Sequence, residues 1–342
     1  MSTNIPTRPL GRNGPIIPAL GLGLMGLSSF YGVPPPDEER FQFLDRAYEL
    51  GCRHWDSAAL YGDSEELLGK WFQRTGKRKD IFLTTKFGNH VTPEGGREIR
   101  NDPDYIRKSV AESLKRLQTD YIDLLYCHRF SGKTPVEDII NTMKEFVVSG
   151  QVRHIGLSEC GTDTLIRASR VHRIAAYQIE YSPFSMDIEK PEVGLLKTCR
   201  ELGIATVAYS PLGRGMLTGQ YKSIDDFDEN DFRRSIPRFS AENFDKNIQL
   251  VDTLKAIADR KGCTSGQLTL AWMMNQGDDI FPIPGTKKIK YLEENWGAND
   301  VTLTPEEDRL IREAIERTEV HGTRVAGHLM GALVKDTPLP PQ

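Results

Sequence analysis

The chain has 342 residues, of which 38% are hydrophobic and 27% charged, with a formal net charge of −4. That balance belongs to a folded globular protein long enough to bury a substantial core. It gives no electrostatic ground for nucleic acid or an anionic membrane as a partner, and no apolar run is long enough to span a bilayer.

At the start, Met1-Ser2-Thr3-Asn4-Ile5-Pro6 lacks the basic-then-apolar pattern of a secretory signal. Cysteines stand at 52, 127, 160, 199 and 263, with no Cys-x-x-Cys pair. A disulfide framework or a metal site is not expected, and a reducing, cytoplasmic compartment is the simplest reading. Cys127 adjoins His128, but neighbours on a strand face opposite ways, so the two are not a nucleophile and its base.

Short apolar strands then alternate with amphipathic helices. Strands are expected at 19–22, 53–56, 81–86, 122–128, 154–158, 176–179, 205–209 and 280–283. Helices are expected at 37–50, 64–73, 104–117, 136–149, 162–171, 193–202, 247–261, 265–275 and 288–298. Gly51, Gly150 and Gly203 stop three of them, and Asp104 and Thr162 are candidate N-caps. The strands are too apolar for a one-sided sheet, which argues for a parallel sheet covered by helices. Eight such strands close a (β/α)8 TIM barrel, with an open doubly wound sheet as the competing arrangement. No linker or repeat divides the chain, so residues 1–342 read as one domain, with a core at about 8–320 and a tail at 321–342. Residues 213–245, after the seventh strand, are long, polar and charged, which suggests a lid. The tail, rich in Gly and Pro, is expected to lie over the barrel or fray.

Gly21-Leu22-Gly23-Leu24-Met25-Gly26 matches the dinucleotide fingerprint G-x-G-x-x-G literally. That motif needs a helix to open at its third glycine, to meet the pyrophosphate. Here Pro34-Pro35-Pro36 follow too closely for a helix to run on, and Asp45, the acidic residue at the right distance, falls inside a helical pattern. The better reading is a first barrel strand whose end brings backbone near a bound ring.

Asp56, Tyr61, Lys86 and His128 each sit at or just beyond the end of a strand, where a parallel barrel builds its active site. Alone, each has a plainer reading: a turn cap, a packing aromatic, a paired lysine, a structural histidine. Together they suit carbonyl reduction. Hydride arriving at carbon leaves negative charge on oxygen, and Tyr61 can protonate it. Its free pKa of about 10 makes it a reluctant acid, so Lys86 is expected to lower that pKa. Asp56 would balance Lys86, and His128 would orient the carbonyl.

Trp55-Asp56-Ser57-Ala58-x-x-Tyr61-Gly62, Thr84-Thr85-Lys86 and Asp120-Tyr121-Ile122-Asp123-Leu124 leading to His128-Arg129 resemble the signatures of the aldo-keto reductases. So do Gly156-Leu157-Ser158-Glu159, Gln178, Tyr209-Ser210-Pro211-Leu212-Gly213-Arg214-Gly215, and Ile283-Pro284-Gly285-Thr286-Lys287 followed by Glu293-Glu294-Asn295. The order is right from about residue 8 to about 320. The pattern is most similar to the branch of perakine reductase, related to potassium-channel β subunits.

The resemblance implies a (β/α)8 barrel with an N-terminal hairpin, extra helices, and NADPH/NADP+ across the carboxyl face. It implies a small carbonyl substrate, with Tyr61 as acid among Asp56, Lys86 and His128. Gly23, Met25 and Asp56 would bind the cofactor, and Ser158, Glu159 and Gln178 would bind its nicotinamide amide. Glu159 stands where many relatives have asparagine. Tyr209 would stack on the ring, and Ser210, Pro211, Leu212, Gly213 and Arg214 would follow the pyrophosphate. Gly285, Lys287, Tyr291, Glu294 and Asn295 would hold the adenosine end, with a lysine there favouring NADP over NAD. Two other readings stay open: a cofactor-sensing binding subunit with slow turnover, and a lyase using Lys86 as a Schiff base.

Overall fold

The computed structural model describes residues 5–92, 94–229 and 231–341; the stretch read above for a signal begins outside them, at residues 1–4. All eight expected strands form, as one parallel sheet: β1 (Leu22–Gly23), β2 (His54–Asp56), β3 (Phe82–Phe87), β4 (Ile122–Cys127), β5 (Val152–Ser158), β6 (Ile174–Glu180), β7 (Ala205–Tyr209) and β8 (Ile280–Pro282). Each pairs with the next in chain order, and the Gly23–Gly285 bridge, with Gly21 N–H donating to Pro282 O at 2.9 Å, closes the barrel. The open doubly wound alternative is thereby excluded.

The closing seam explains two glycines. A Cβ on Gly23 would lie 2.8 Å from the Ile283 carbonyl oxygen, and one on Gly285 would lie 2.8 Å from that of Gly23. Those contacts are too short for any side chain. β1 begins three residues later than expected, and just before it Ile16–Pro18 forms an antiparallel hairpin with Thr7–Pro9. Leu10 and Ile17 of that hairpin join Leu124, Tyr126, Val207 and Phe281 in the barrel's inner cluster, so the hairpin plugs one end.

Around the barrel lie α1 (Asp37–Glu49), α2 (Ser64–Thr75), α3 (Pro103–Leu117), α4 (Val136–Val148), α5 (Thr162–Val171), α6 (Leu195–Leu202), α7 (Ala241–Lys261), α8 (Ser265–Asn275), α9 (Ile289–Trp296) and α10 (Pro305–Arg317). Their apolar faces pack on the barrel in the main core, with Phe43, Trp55, Trp71 and Trp272 fully or almost fully withdrawn from water. Two expected caps are corrected. Asp102, not Asp104, accepts from Tyr105 N at 3.0 Å, with Pro103 in the first helical position where its missing N–H costs nothing. Thr162 lies inside α5, and Asp336 from the tail accepts from Thr164 N instead, at 3.2 Å.

The motif Gly21 to Gly26 leads into one short turn of helix, Met25–Ser28, and no further. Asp45 sits on α1, where its carboxylate accepts from Trp71 Nε1 at 2.8 Å. The dinucleotide-fingerprint reading therefore fails structurally. The described residues of 213–240 include several short 3-10 turns over the barrel mouth and bury Phe227, Ile236 and Phe239. A second hairpin, Asn89–Val91 with Arg97–Ile99, was not expected, although Gly95-Gly96 marks its turn. Nor was α10, although Thr304-Pro305-Glu306-Glu307 is a capping box: Thr304 N donates to Glu307 at 2.8 Å, and Glu307 N to Thr304 at 3.2 Å. Among the described residues no helix is long and apolar enough to cross a membrane.

Candidate active site

The loop after β2 is tied to its neighbour strand: Ser57 N–H donates to Thr84 O at 2.9 Å and Ala59 N–H to Lys86 O at 3.0 Å. It then turns at Gly62, whose φ of +55° and close approach to Ser28 O leave no room for a side chain. This places Tyr61 over Lys86, whose Nζ lies 5.0 Å from the phenol ring centroid. Lys86 Nζ donates to Asp56 Oδ1 at 2.5 Å and to Ser57 O at 2.7 Å. The second Asp56 oxygen accepts from Gln178 Nε2 at 2.8 Å. His128 N–H bonds Phe87 O, which continues the β3–β4 register, and the His128 ring meets Tyr61 edge-on with centroids 5.9 Å apart. The four residues are thus gathered at the carboxyl ends of β2, β3 and β4.

Burial dominates their electrostatics. It pushes the Tyr61 phenol above its usual value, against the opposing pull of Lys86 and Arg129, and Asp56 adds to the rise. The expected net lowering of this pKa is therefore corrected: Lys86 only offsets a larger desolvation cost. Burial likewise raises Asp56 against the pull of Lys86 and Gln178. It drives His128 far below the ordinary imidazole range, helped by Arg129 and Lys86, so His128 is neutral.

A cavity of about 1310 Å³ opens over this cluster. Asp56, Tyr61, His128 and Gln178 line it, and it extends past Tyr209, Ser210, Pro211, Leu212 and Arg214 to Lys287, Tyr291, Glu294 and Asn295. Gly23, Met25 and Gly285 line it too, as do Thr218, Tyr221 and Phe232 from the lid segment. Phe232 meets Phe30 edge-on at 6.0 Å, so the lid touches the segment that follows β1. The turn at 210–215 holds Ser210, Gly213, Arg214 and Gly215 at positive φ. For Ser210 and Arg214 such a conformation costs roughly 1 kcal/mol or more each, the kind of strain stored at functional sites.

Three expected cofactor contacts do not line the cavity. Ser158 is wholly buried, and its hydroxyl accepts from Arg129 Nη1 at 3.2 Å. Glu159 is also wholly buried, with its carboxylate paired to Arg324 of the tail. Gly213 packs under Phe184, whose ring carbon would stand 2.7 Å from any Cβ there. Two further residues are partly committed elsewhere. Arg214 pairs with the buried Glu180 at 3.4 Å, and Lys287 Nζ donates to Tyr31 O at 2.6 Å. The sequence reading missed the tail residues Val325, Leu329 and Leu333, which line the cavity; their apolar spacing carried no motif. Among the described residues no cluster of histidine, cysteine or acidic side chains could hold a metal ion. The five cysteines are unpaired, and burial raises the Cys127 thiol, which opposes any nucleophilic role.

The family model described as Aldo/keto reductase family matches residues 19–316. The chain belongs to this family. As an aldo/keto reductase it is an oxidoreductase, and its barrel is that of its relatives. It is 54% identical over 343 residues to Aldo-keto reductase str7 of Strobilurus tenacellus, across 99% of both chains. It is 51% identical to Aldo-keto reductase yakc [NADP(+)] of Schizosaccharomyces pombe, across 99% of this chain and 100% of that protein. Among solved structures, glycerol dehydrogenase AKR11B4 from Gluconobacter oxydans superposes with a TM-score of 0.81 at 25% identity, covering 94% of this chain and 96% of that one. The thermostable aldo-keto reductase Tm1743 does so with a TM-score of 0.73 at 31% identity, over 91% and 100%.

Proposed function

We propose that this aldo/keto reductase reduces an aldehyde or ketone to the alcohol with NADPH. The observation that carries the reading is the stack of Asp56, Lys86 and Tyr61 beside neutral His128 at the end of a long cavity. That cavity is larger than a typical small-ligand pocket of about 300–1,000 Å³, which suits a dinucleotide with a substrate beside it. The glycine seam leaves bare backbone along the cavity, which Lys287 and Lys288 also line. The name of the fission-yeast relative carries NADP(+), and a basic pair suits the extra phosphate.

Bound NADPH supplies the hydride that goes to the carbonyl carbon. The proton that goes to the oxygen comes from the Tyr61 hydroxyl. Burial keeps the phenol protonated but makes it a weaker acid, and Lys86 beneath it offsets part of that cost by stabilising the tyrosinate left behind. Asp56 holds Lys86 in place. Neutral His128 donates a hydrogen bond that orients the carbonyl. Gly23, Met25, Gln178, Tyr209, Ser210, Pro211 and Leu212 would hold the nicotinamide and pyrophosphate parts, and Gly285, Lys287, Tyr291, Glu294 and Asn295 the adenosine part. A Schiff-base lyase is disfavoured, because Lys86 Nζ already serves two acceptors in a buried ion pair. The narrower kinship with perakine reductase rests on motif order, and a cytoplasmic setting on the unpaired cysteines.

The test is NADPH oxidation by a panel of carbonyl compounds, with Tyr61→Phe as control. The variant should still quench NADPH fluorescence but lose about 10²-fold or more in turnover. Normal turnover by Tyr61→Phe would remove Tyr61 as the acid. Tight nucleotide binding with no turnover by the unaltered protein would favour the sensing subunit.

A further inference from the structure

Glu159 follows β5 at a φ of +53°, a conformation rare outside glycine and short polar residues. Its two carboxylate oxygens accept from Arg324 Nη1 at 2.7 Å and Nη2 at 2.8 Å. Oε1 also accepts from the Tyr209 hydroxyl at 2.7 Å, and Arg324 Nη1 lies 3.1 Å from that hydroxyl. Its backbone is held as well: Lys335 N–H donates to Glu159 O at 3.1 Å, and Cys160 bridges Lys335 as a strand pair. A single residue thus grips both ends of residues 324–335. Between those ends Val325, Leu329, Ala332 and Leu333 line the cavity, as Tyr209 does. Past the second end the chain stays docked on its own, because Asp336 accepts from Thr164 Oγ1 at 2.7 Å and Arg167 Nη1 donates to Thr337 O at 2.9 Å. Only the Arg324 end depends on the carboxylate.

We infer that Glu159 is a positioning residue of the substrate site: through Arg324 it clamps an apolar wall, and through Tyr209 it steadies a ring in the same cavity. The site then favours carbonyl compounds with a bulky apolar body over small polar ones. This rests on the carbonyl-reductase reading above. The pair is buried, so removing Arg324 leaves the Glu159 carboxylate without its two-pronged partner and releases the wall, whereas removing the carboxylate leaves Arg324 only Glu180, at 3.7 Å.

The experiment compares wild type with Arg324→Ala, Arg324→Lys and Glu159→Gln at saturating NADPH, on 2-naphthaldehyde and on glyceraldehyde. Arg324→Ala should raise KM for naphthaldehyde about tenfold and that for glyceraldehyde less than about twofold, a loss of binding confined to one substrate class. Arg324→Lys, which keeps charge without the two-pronged contact, should regain part of that loss. Glu159→Gln should shift the same ratio, and non-additively with Arg324→Ala. Hydrogen exchange over residues 325–334 should rise in Arg324→Ala, while α5 keeps wild-type protection. Equal KM changes for both aldehydes, or a change confined to the NADPH dissociation constant, would overturn the inference. If wild type turns over neither aldehyde nor any other carbonyl, the reductase reading fails instead. Exchange then still decides the clamp, since unchanged protection of 325–334 in Arg324→Ala rejects it.

Discussion

Asp56 and Lys86 form an ion pair of 2.5 Å whose side chains are 3% and 0% exposed, sealed under Tyr61. Neither charge would be tolerated there alone. Ser57 O and Gln178 Nε2 satisfy what the pair leaves over, which is the condition for burying an ion pair at acceptable cost.

Asp56→Asn should therefore destabilise the fold by about 3–5 kcal/mol, because Lys86 is left buried without its counter-ion. Urea denaturation would show it. The double variant Asp56→Asn/Lys86→Met should recover much of the loss. A cost for Asp56→Asn below about 1 kcal/mol would mean the pair contributes no more than a surface contact.

Inside the barrel, His54 is wholly buried and neither ring nitrogen has a hydrogen-bond partner among the described residues. Burial, with Lys86 adding, lowers its pKa from 6.5 to about 3. The unfolded chain then binds a proton that the folded one refuses. This contribution to stability is complete above pH 6.5 and is lost as pH falls toward 3, at about 1.4 kcal/mol per pH unit. His54→Leu should flatten the fall in urea midpoint over that window. If both proteins lose stability equally, the acid sensitivity lies elsewhere.

Gly285→Ala should open the barrel seam, since its Cβ would stand 2.8 Å from Gly23 O. The backbone must shift, at about 1–3 kcal/mol. A lowered melting temperature with weakened NADPH binding is the expected pair of outcomes, because the seam lines the cavity. An unchanged melting temperature would show that the seam has slack.

Lys287 and Lys288 both line the cavity. Replacing both with methionine should weaken NADPH about tenfold, or ~1.4 kcal/mol, and leave NADH nearly unchanged. The salt dependence of NADPH binding should fall with it. Equal effects on both nucleotides, read by fluorescence titration, would move the extra phosphate to other residues.

The eight strands and most of the surrounding helices were legible in the chain itself, because apolar periodicity and glycine stops are local properties. So were Asp56, Tyr61, Lys86 and His128, since a polar residue ending an apolar strand is visible without any fold. Their electrostatic balance was not. Whether Lys86 or burial prevails at Tyr61 depends on how much chain from elsewhere covers the phenol, and burial prevails. Tertiary structure alone also decided Glu159. Motif position aimed it at a cofactor amide, yet Arg324, 165 residues further on, takes its carboxylate. Pairing across such a distance leaves no trace in spacing. It exists only once the closed barrel brings the end of β5 against the returning tail.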